Sequence, residues 1–135
     1  LEDLIVQRYK RYEIIKENEQ KWDEYLVDDA DIVVVAYGAS SRISHTAVDM
    51  AREKGIKAGL LRPITLWPFP VKAFEPLKET AKAFISCEMS MGQMVDDVRL
   101  AVECKKPVSF VGRTGGKIPT PNEVLNKIIE VGGGC

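Results

Sequence analysis

The chain has 135 residues, 45% of them apolar and 29% charged, with a formal net charge of -1. That length and composition describe one globular domain with an ordinary core, and the near-neutral balance excludes nucleic acid or an anionic membrane as a main partner. No apolar run approaches the roughly 18–20 residues that span a bilayer, and the charged opening excludes a signal peptide, so the expected location is cytoplasmic. Cys87, Cys104 and Cys135 are odd in number and far apart, with no C-x-x-C pair. This is neither a disulfide framework nor the ligand set of an iron–sulfur cluster or structural zinc. His45 is the single histidine, so no metal site is expected; it reads as a helix histidine. The chain starts at Leu1 without Met, which suggests a piece of a longer protein.

Leu1 to about Leu26 reads as one long helix. Ile5, Tyr9, Tyr12, Ile15, Trp22 and Leu26 recur at three- and four-residue steps, interrupted by Glu19, and the stripe is expected to pack on the domain. Residues 1–27 are thus an N-terminal helix and 28–135 an α/β domain. Ile32-Val33-Val34-Val35-Ala36-Tyr37 is a β-branched run without alternation, which predicts a strand covered on both faces. Gly38 ends it, and Ser40 or Ser41 is placed to cap a helix reaching about Lys54, with Ile43, Ala47, Met50 and Ala51 inward and Gly55 as its stop. Lys57 to Leu61 is the next strand.

The strand runs into Arg62-Pro63-Ile64-Thr65-Leu66-Trp67-Pro68-Phe69-Pro70. Three prolines, each without an N–H, cannot continue a central strand, so this is a stiff aromatic loop with an arginine at its root. A short helix to about Thr80 follows, with Val71, Phe74 and Leu77 inward and a kink or break expected at Pro76. Lys82 to Cys87 is a third strand and Glu88 to Gly92 its loop. Gln93 to about Cys104 is a helix, and Pro107 to Val111 a fourth strand. Thr120-Pro121-x-Glu123 is a capping box with proline at the first helical position, opening a last helix that Gly132 to Gly134 stop. The β-α alternation predicts a three-layer α/β/α domain with a mostly parallel sheet.

In such a sheet ligands bind beyond the carboxyl ends of the strands. Four loops meet there, bringing Arg42, Arg62 and Arg113, small hydroxyls, glycines and Glu88. Arginines and helix N-termini at one rim suit a phosphate or carboxylate; arginine, methionine and aromatic residues equally suit a subunit interface. The interface is the preferred reading, because no nucleophile or general base completes a site. Gly112 to Lys117 hints at a phosphate loop but is one residue short, with Ile118 where magnesium needs a hydroxyl. No dinucleotide fingerprint follows the first strand. Cys87 reads as a buried core residue in preference to a redox thiol. A flavodoxin-like domain with its own cofactor is a further alternative.

Val33-Val34-Val35-Ala36-Tyr37-Gly38, the segment Leu61 to Pro70, Glu88-Met89-Ser90-Met91-Gly92-Gln93-Met94 and Gly112-Arg113-Thr114-Gly115-Gly116 together resemble the C-terminal domain of the alpha subunit of 2-oxoacid:ferredoxin oxidoreductases, of the 2-ketoisovalerate type. The resemblance covers nearly the whole chain. It implies a transketolase C-terminal-like sheet of four to five strands, one antiparallel. Only four are legible, leaving an edge strand hidden near an end of the chain. It also implies a complete enzyme that decarboxylates a 2-oxoacid on thiamine diphosphate with magnesium, passes electrons through iron–sulfur clusters to ferredoxin, and forms an acyl-CoA. The G-D-G magnesium-diphosphate motif is absent, so no catalytic residue carries over and the domain alone is expected to be inactive. What carries over is placement. Arg62, Pro63, Trp67, Pro68, Phe69, Glu88, Met89, Gly92 and Gln93 are expected to face the preceding domain of the subunit or other subunits. Arg42, Arg62 and Arg113 are candidates for an anion such as coenzyme A, and an anion- or nucleotide-binding module is the alternative function.

Overall fold

The structure, a computed structural model, describes residues 1–133. Along the chain lie α1 (Glu2–Asn18), β1 (Trp22–Tyr25), β2 (Ile32–Ala36), α2 (Gly38–Glu53), β3 (Ala58–Pro63), α3 (Val71–Thr80), β4 (Ala83–Glu88), α4 (Met94–Ala101), β5 (Val108–Gly112) and α5 (Pro121–Gly133). The strands form one sheet in the order β1-β3-β2-β4-β5. β2 to β5 are mutually parallel and β1 is antiparallel to β3.

β2 is the centre, buried at all five residues. Its β-branched side chains alternate between two cores, as strand geometry requires. Val33 and Val35 join Phe74 of α3 and Val98 of α4 on one face. Ile32 and Val34 join Val48 of α2 and Ile128 of α5 on the other. Phe74 and Phe84 are fully buried with ring centroids 5.8 Å apart, each burial stabilising by about 1.5–3 kcal/mol. This is the expected three-layer arrangement, and the lack of alternation in β2 follows from its two covered faces.

The fifth strand lies inside the segment read as helix. α1 ends at Asn18, and Glu19, which interrupted the stripe, is its C-cap. Trp22-Asp23-Glu24-Tyr25 then pairs with β3, Trp22 opposite Pro63 and Tyr25 opposite Leu60. Trp22 leans on the α3/α4 core and Tyr25 on the α2/α5 core, while Asp23 and Glu24 are exposed on this edge strand, where charge discourages further pairing. α1 buries none of its residues, so its aromatic stripe does not join the core.

Smaller boundaries differ as well. α2 starts directly after Tyr37, with Gly38 at φ +58° turning the chain out of β2. Ser40 and Ser41 are buried within its first turn, and Ser41 Oγ donates to the Gly38 carbonyl at 2.7 Å instead of accepting as a cap. α3 runs unbroken through Pro76. That proline is exposed, on a face where water can take the bond it forfeits. α5 continues through Gly132, where a side chain would come within 3.1 Å of Ile32 Cδ1; Gly134 and Cys135 lie outside the described residues. The Thr120 capping box forms as expected: Glu123 N–H donates to Thr120 Oγ1 at 3.2 Å and Thr120 N–H to Glu123 Oε2 at 2.9 Å.

Candidate functional site

Because β2 to β5 are parallel, their following loops share one rim. β3 carries Arg62 to that rim, and α2 carries Arg42 just past its first turn. The two line one cleft of about 370 Å³, with Leu60, Tyr25, His45 and Ser41 among its other walls. Arg62 pairs with Asp23 of β1 at 2.7 Å, both side chains about half exposed. The antiparallel register that sets Asp23 opposite Arg62 makes this pair. Tyr25 stacks on His45 at 3.9 Å and donates its hydroxyl to Asp49 at 2.7 Å. That hydrogen bond, ahead of burial, raises the phenol's pKa. His45 Nδ1 lies 3.3 Å from Asp49 as well. Arg113 is not in this cleft. It pairs with Glu123, so it is committed to the α5 cap.

The proline loop has two sides. Pro63, Pro68 and Pro70 are buried, and Phe69 stacks on Phe74 at 5.7 Å, which fixes the loop to the core. Ile64, Leu66 and Trp67 point outward, Trp67 at 57% exposure. The Trp67–Pro68 peptide is cis. The Lys21 carbonyl accepts from the N–H groups of Ile64 and Thr65 at 2.9 and 3.1 Å, tying the loop to the start of β1. Lys72 holds the end of α1, its Nζ donating to the Glu17 carbonyl and carboxylate at 2.6 and 2.8 Å. Tyr9, Tyr12 and Trp67 form an edge-to-face series with centroids 5.7 and 5.6 Å apart. With Lys16 they line a second cleft of about 410 Å³.

The third feature was not legible in the sequence. Glu88, grouped above with the docking residues, is the last residue of β4 and only 2% exposed. Its Oε1 accepts from the N–H of Gln93 at 2.9 Å, the N–H of Met94 at 2.7 Å and Ser90 Oγ at 3.2 Å. Its Oε2 accepts from the N–H of Val95 at 3.0 Å and Ser86 Oγ at 3.1 Å. A buried carboxylate with five donors at a helix N-terminus is stabilised both by the hydrogen bonds and by the helix dipole. It is not a surface that a partner can touch. The exposed part of this loop is Met89, Met91 and Gln93, with Gly92 partly covered. Cys87 is fully buried, and burial pushes its thiol pKa up. A raised pKa in an apolar wall is that of an unreactive thiol.

Comparison with known proteins gives these features a setting. The model of the pyruvate:ferredoxin oxidoreductase core domain II matches residues 30–124. The chain is 50% identical over 133 residues to the ketoisovalerate oxidoreductase subunit VorB of Methanothermobacter thermautotrophicus, and 47% identical over 133 residues to that of Methanothermobacter marburgensis. Each match covers 98% of this chain and 38% of the relative, so the chain spans well under half the length of these relatives. Among solved structures, a 2-oxoglutarate:ferredoxin oxidoreductase from Magnetococcus marinus, with 2-oxoglutarate, coenzyme A and succinyl-CoA bound, superposes with a TM-score of 0.80 at 22% identity, over 96% of this chain and 23% of that one. A split-gene transketolase, in an inactive tetramer, superposes with a TM-score of 0.69 at 18% identity, over 82% of this chain and 40% of that one. Both share the fold, down to the transketolase-like sheet. The chain belongs to the family of pyruvate:ferredoxin oxidoreductase core domain II, and its relatives are subunits of 2-oxoacid:ferredoxin oxidoreductases.

Proposed function

We propose that this chain is the C-terminal assembly domain of a thiamine-diphosphate-dependent ketoisovalerate:ferredoxin oxidoreductase, which oxidatively decarboxylates branched-chain 2-oxoacids to acyl-CoA. The observation that carries this reading is the 50% identity to a VorB subunit over 98% of the chain. In the complete enzyme, thiamine diphosphate, magnesium and iron–sulfur clusters supply the chemistry and ferredoxin takes the electrons. The described residues do not fit magnesium or an iron–sulfur cluster. Among the described residues no three His, Cys, Asp or Glu side chains converge as a metal requires, Cys87 is walled into the core, and Cys104 stands apart on the surface. No step of the decarboxylation is therefore derived through this chain.

Its part is architectural. Trp67 and the aromatic stripe of α1 are exposed on one side of the proline loop, and burying such rings is a main source of interface energy. The partners are the preceding domain of the same subunit and the other subunits. The test is Trp67→Ala in the full-length subunit, co-expressed with its partner subunits. The expected result is loss of the assembled complex on size exclusion, while the denaturation midpoint of the 135-residue chain stays close to wild type. An intact complex, or calorimetric binding of thiamine diphosphate to the 135-residue chain alone, would overturn the reading.

The Arg42–Arg62 cleft supports a second, compatible role as a contact for coenzyme A. Among the described residues no carboxylate pairs with Arg42, unlike Arg62 and Arg113, and a guanidinium so placed in a cleft suits a phosphate. Titration of coenzyme A against wild type, Arg42→Ala and Arg62→Ala should show heat that both variants weaken. Absence of heat with wild type removes this role.

A further inference from the structure

We infer that the N-terminus of α4 is an anion cradle that the chain fills with its own Glu88 carboxylate, and that Glu88 is thereby the positioning residue for the exposed turn Met89–Gly92. The inference concerns this chain alone and does not depend on the assembly reading.

The first turn of a helix carries N–H groups with no partner inside the helix. In α4 those of Gln93, Met94 and Val95 all converge on one carboxylate. Two hydroxyls, Ser86 and Ser90, complete the set. This is the donor arrangement of a bound small carboxylate, except that the ligand is tethered to the end of β4. The tether matters, because the surroundings disfavour a free anion. Asp96 and Asp97 occupy the same first turn, and burial, then Asp96 and Glu88, raise the pKa of Asp97. Only an anion held in place covalently is favoured at such a crowded negative site without a high external concentration.

The same network fixes the turn. Ser90 Oγ, besides donating to Glu88, accepts from the N–H of Gly92 at 3.2 Å. Gly92 sits at φ +107°, a conformation that glycine supplies. Gly112 closes the turn from β5: a side chain there would lie 2.5 Å from the Ser90 carbonyl oxygen. Met91, 83% exposed, and Met89, 46% exposed, are thus held outward by a frame with Glu88 at its centre. The five hydrogen bonds to the carboxylate come from Ser86, Ser90, Gln93, Met94 and Val95, so Glu88 acts on Met89 and Met91 through the backbone of the turn.

Amide exchange by NMR on the 135-residue chain tests this with Glu88→Ala and Glu88→Gln, in formate and in matched chloride. A hydrogen bond to a charged acceptor is worth at least about a factor of ten. In Glu88→Ala, exchange at Gln93, Met94 and Val95 should therefore quicken about tenfold or more relative to β2. Formate should restore protection at those amides and chloride should not. Glu88→Gln fills the cradle with a neutral group, so it should lose part of the protection and not respond to formate. A purely structural loss in Glu88→Ala would be insensitive to formate, and that result overturns the inference. If Glu88→Ala does not fold, Glu88→Gln decides alone: faster exchange confined to residues 90–95 supports the cradle, and wild-type exchange overturns it.

Discussion

Arg52→Ala removes a four-way clip. Arg52, in the last turn of α2, donates from Nε to the Ala58 carbonyl at 2.7 Å and from Nη2 to the Leu26 carbonyl at 2.8 Å. The same guanidinium spans both oxygens of Asp29, at 3.0 and 2.7 Å. It therefore joins α2, the start of β3 and the β1–β2 connection, where Leu26 is held at φ +53°. A charged donor to a carbonyl contributes about 1.5–3 kcal/mol. Two such bonds give roughly 3–6 kcal/mol as an upper bound, and water replaces part of this because the Arg52 side chain is 24% exposed. The expected cost of Arg52→Ala is thus about 2–4 kcal/mol, read as ΔG from urea denaturation followed by circular dichroism. Arg52→Lys keeps the charge but not the fork, and should recover less than half of the loss. A loss in Arg52→Ala within about 0.5 kcal/mol, the range of ordinary surface substitutions, would refute the clip. So would a lysine variant as stable as wild type.

The same denaturation assay checks the others. Gly59→Ala places a methyl 2.6 Å from the Leu26 carbonyl oxygen and 3.0 Å from Ala30 Cβ, and should cost about 1–3 kcal/mol; a neutral result would mean that the crossing segment can back away. Thr120→Ala leaves the Glu123 N–H without its cap and should cost about 1 kcal/mol, whereas an unchanged midpoint would show that the box contributes nothing. Asp29 titrates below its ordinary value, chiefly through its hydrogen bonds from Arg52. A depressed carboxylate contributes stability that is present above the unfolded value, near about 3.9, and is lost as pH falls through the lower folded value. The gap between wild type and Arg52→Ala should narrow on acidification below about pH 4, and a gap that widens would reverse the sign.

What could be read beforehand depended on how local each feature was. β2 announced itself through five consecutive apolar residues because both its faces are covered. The α5 cap was visible because its two partners lie three residues apart. β1 was not visible: Trp22 and Leu26 are four apart, which fits a helix stripe, whereas the strand sets Trp22 against one core and Tyr25 against the other. The interruption at Glu19 was the available signal that the helix had ended. Glu88 was hidden for a different reason. Its partners span residues 86–95, and only the turn at Gly92 folds them onto one carboxylate. The pairing of Arg42 with Arg62 in one cleft, and the diversion of Arg113 to Glu123, depended on how helices pack over strand ends, which periodicity does not encode.

The reversed direction of β1 decides where α1 arrives. Four residues of strand are about 13 Å long. With Trp22 paired to Pro63 and Tyr25 to Leu60, the strand begins at the rim and runs away from it. Had it run parallel, α1 would have joined at the opposite end of the sheet, beyond reach of Trp67 and Lys72. The polarity of one short edge strand therefore sets the bearing of the whole helix, and gathers every exposed aromatic residue of α1 on the side where the proline loop already stands.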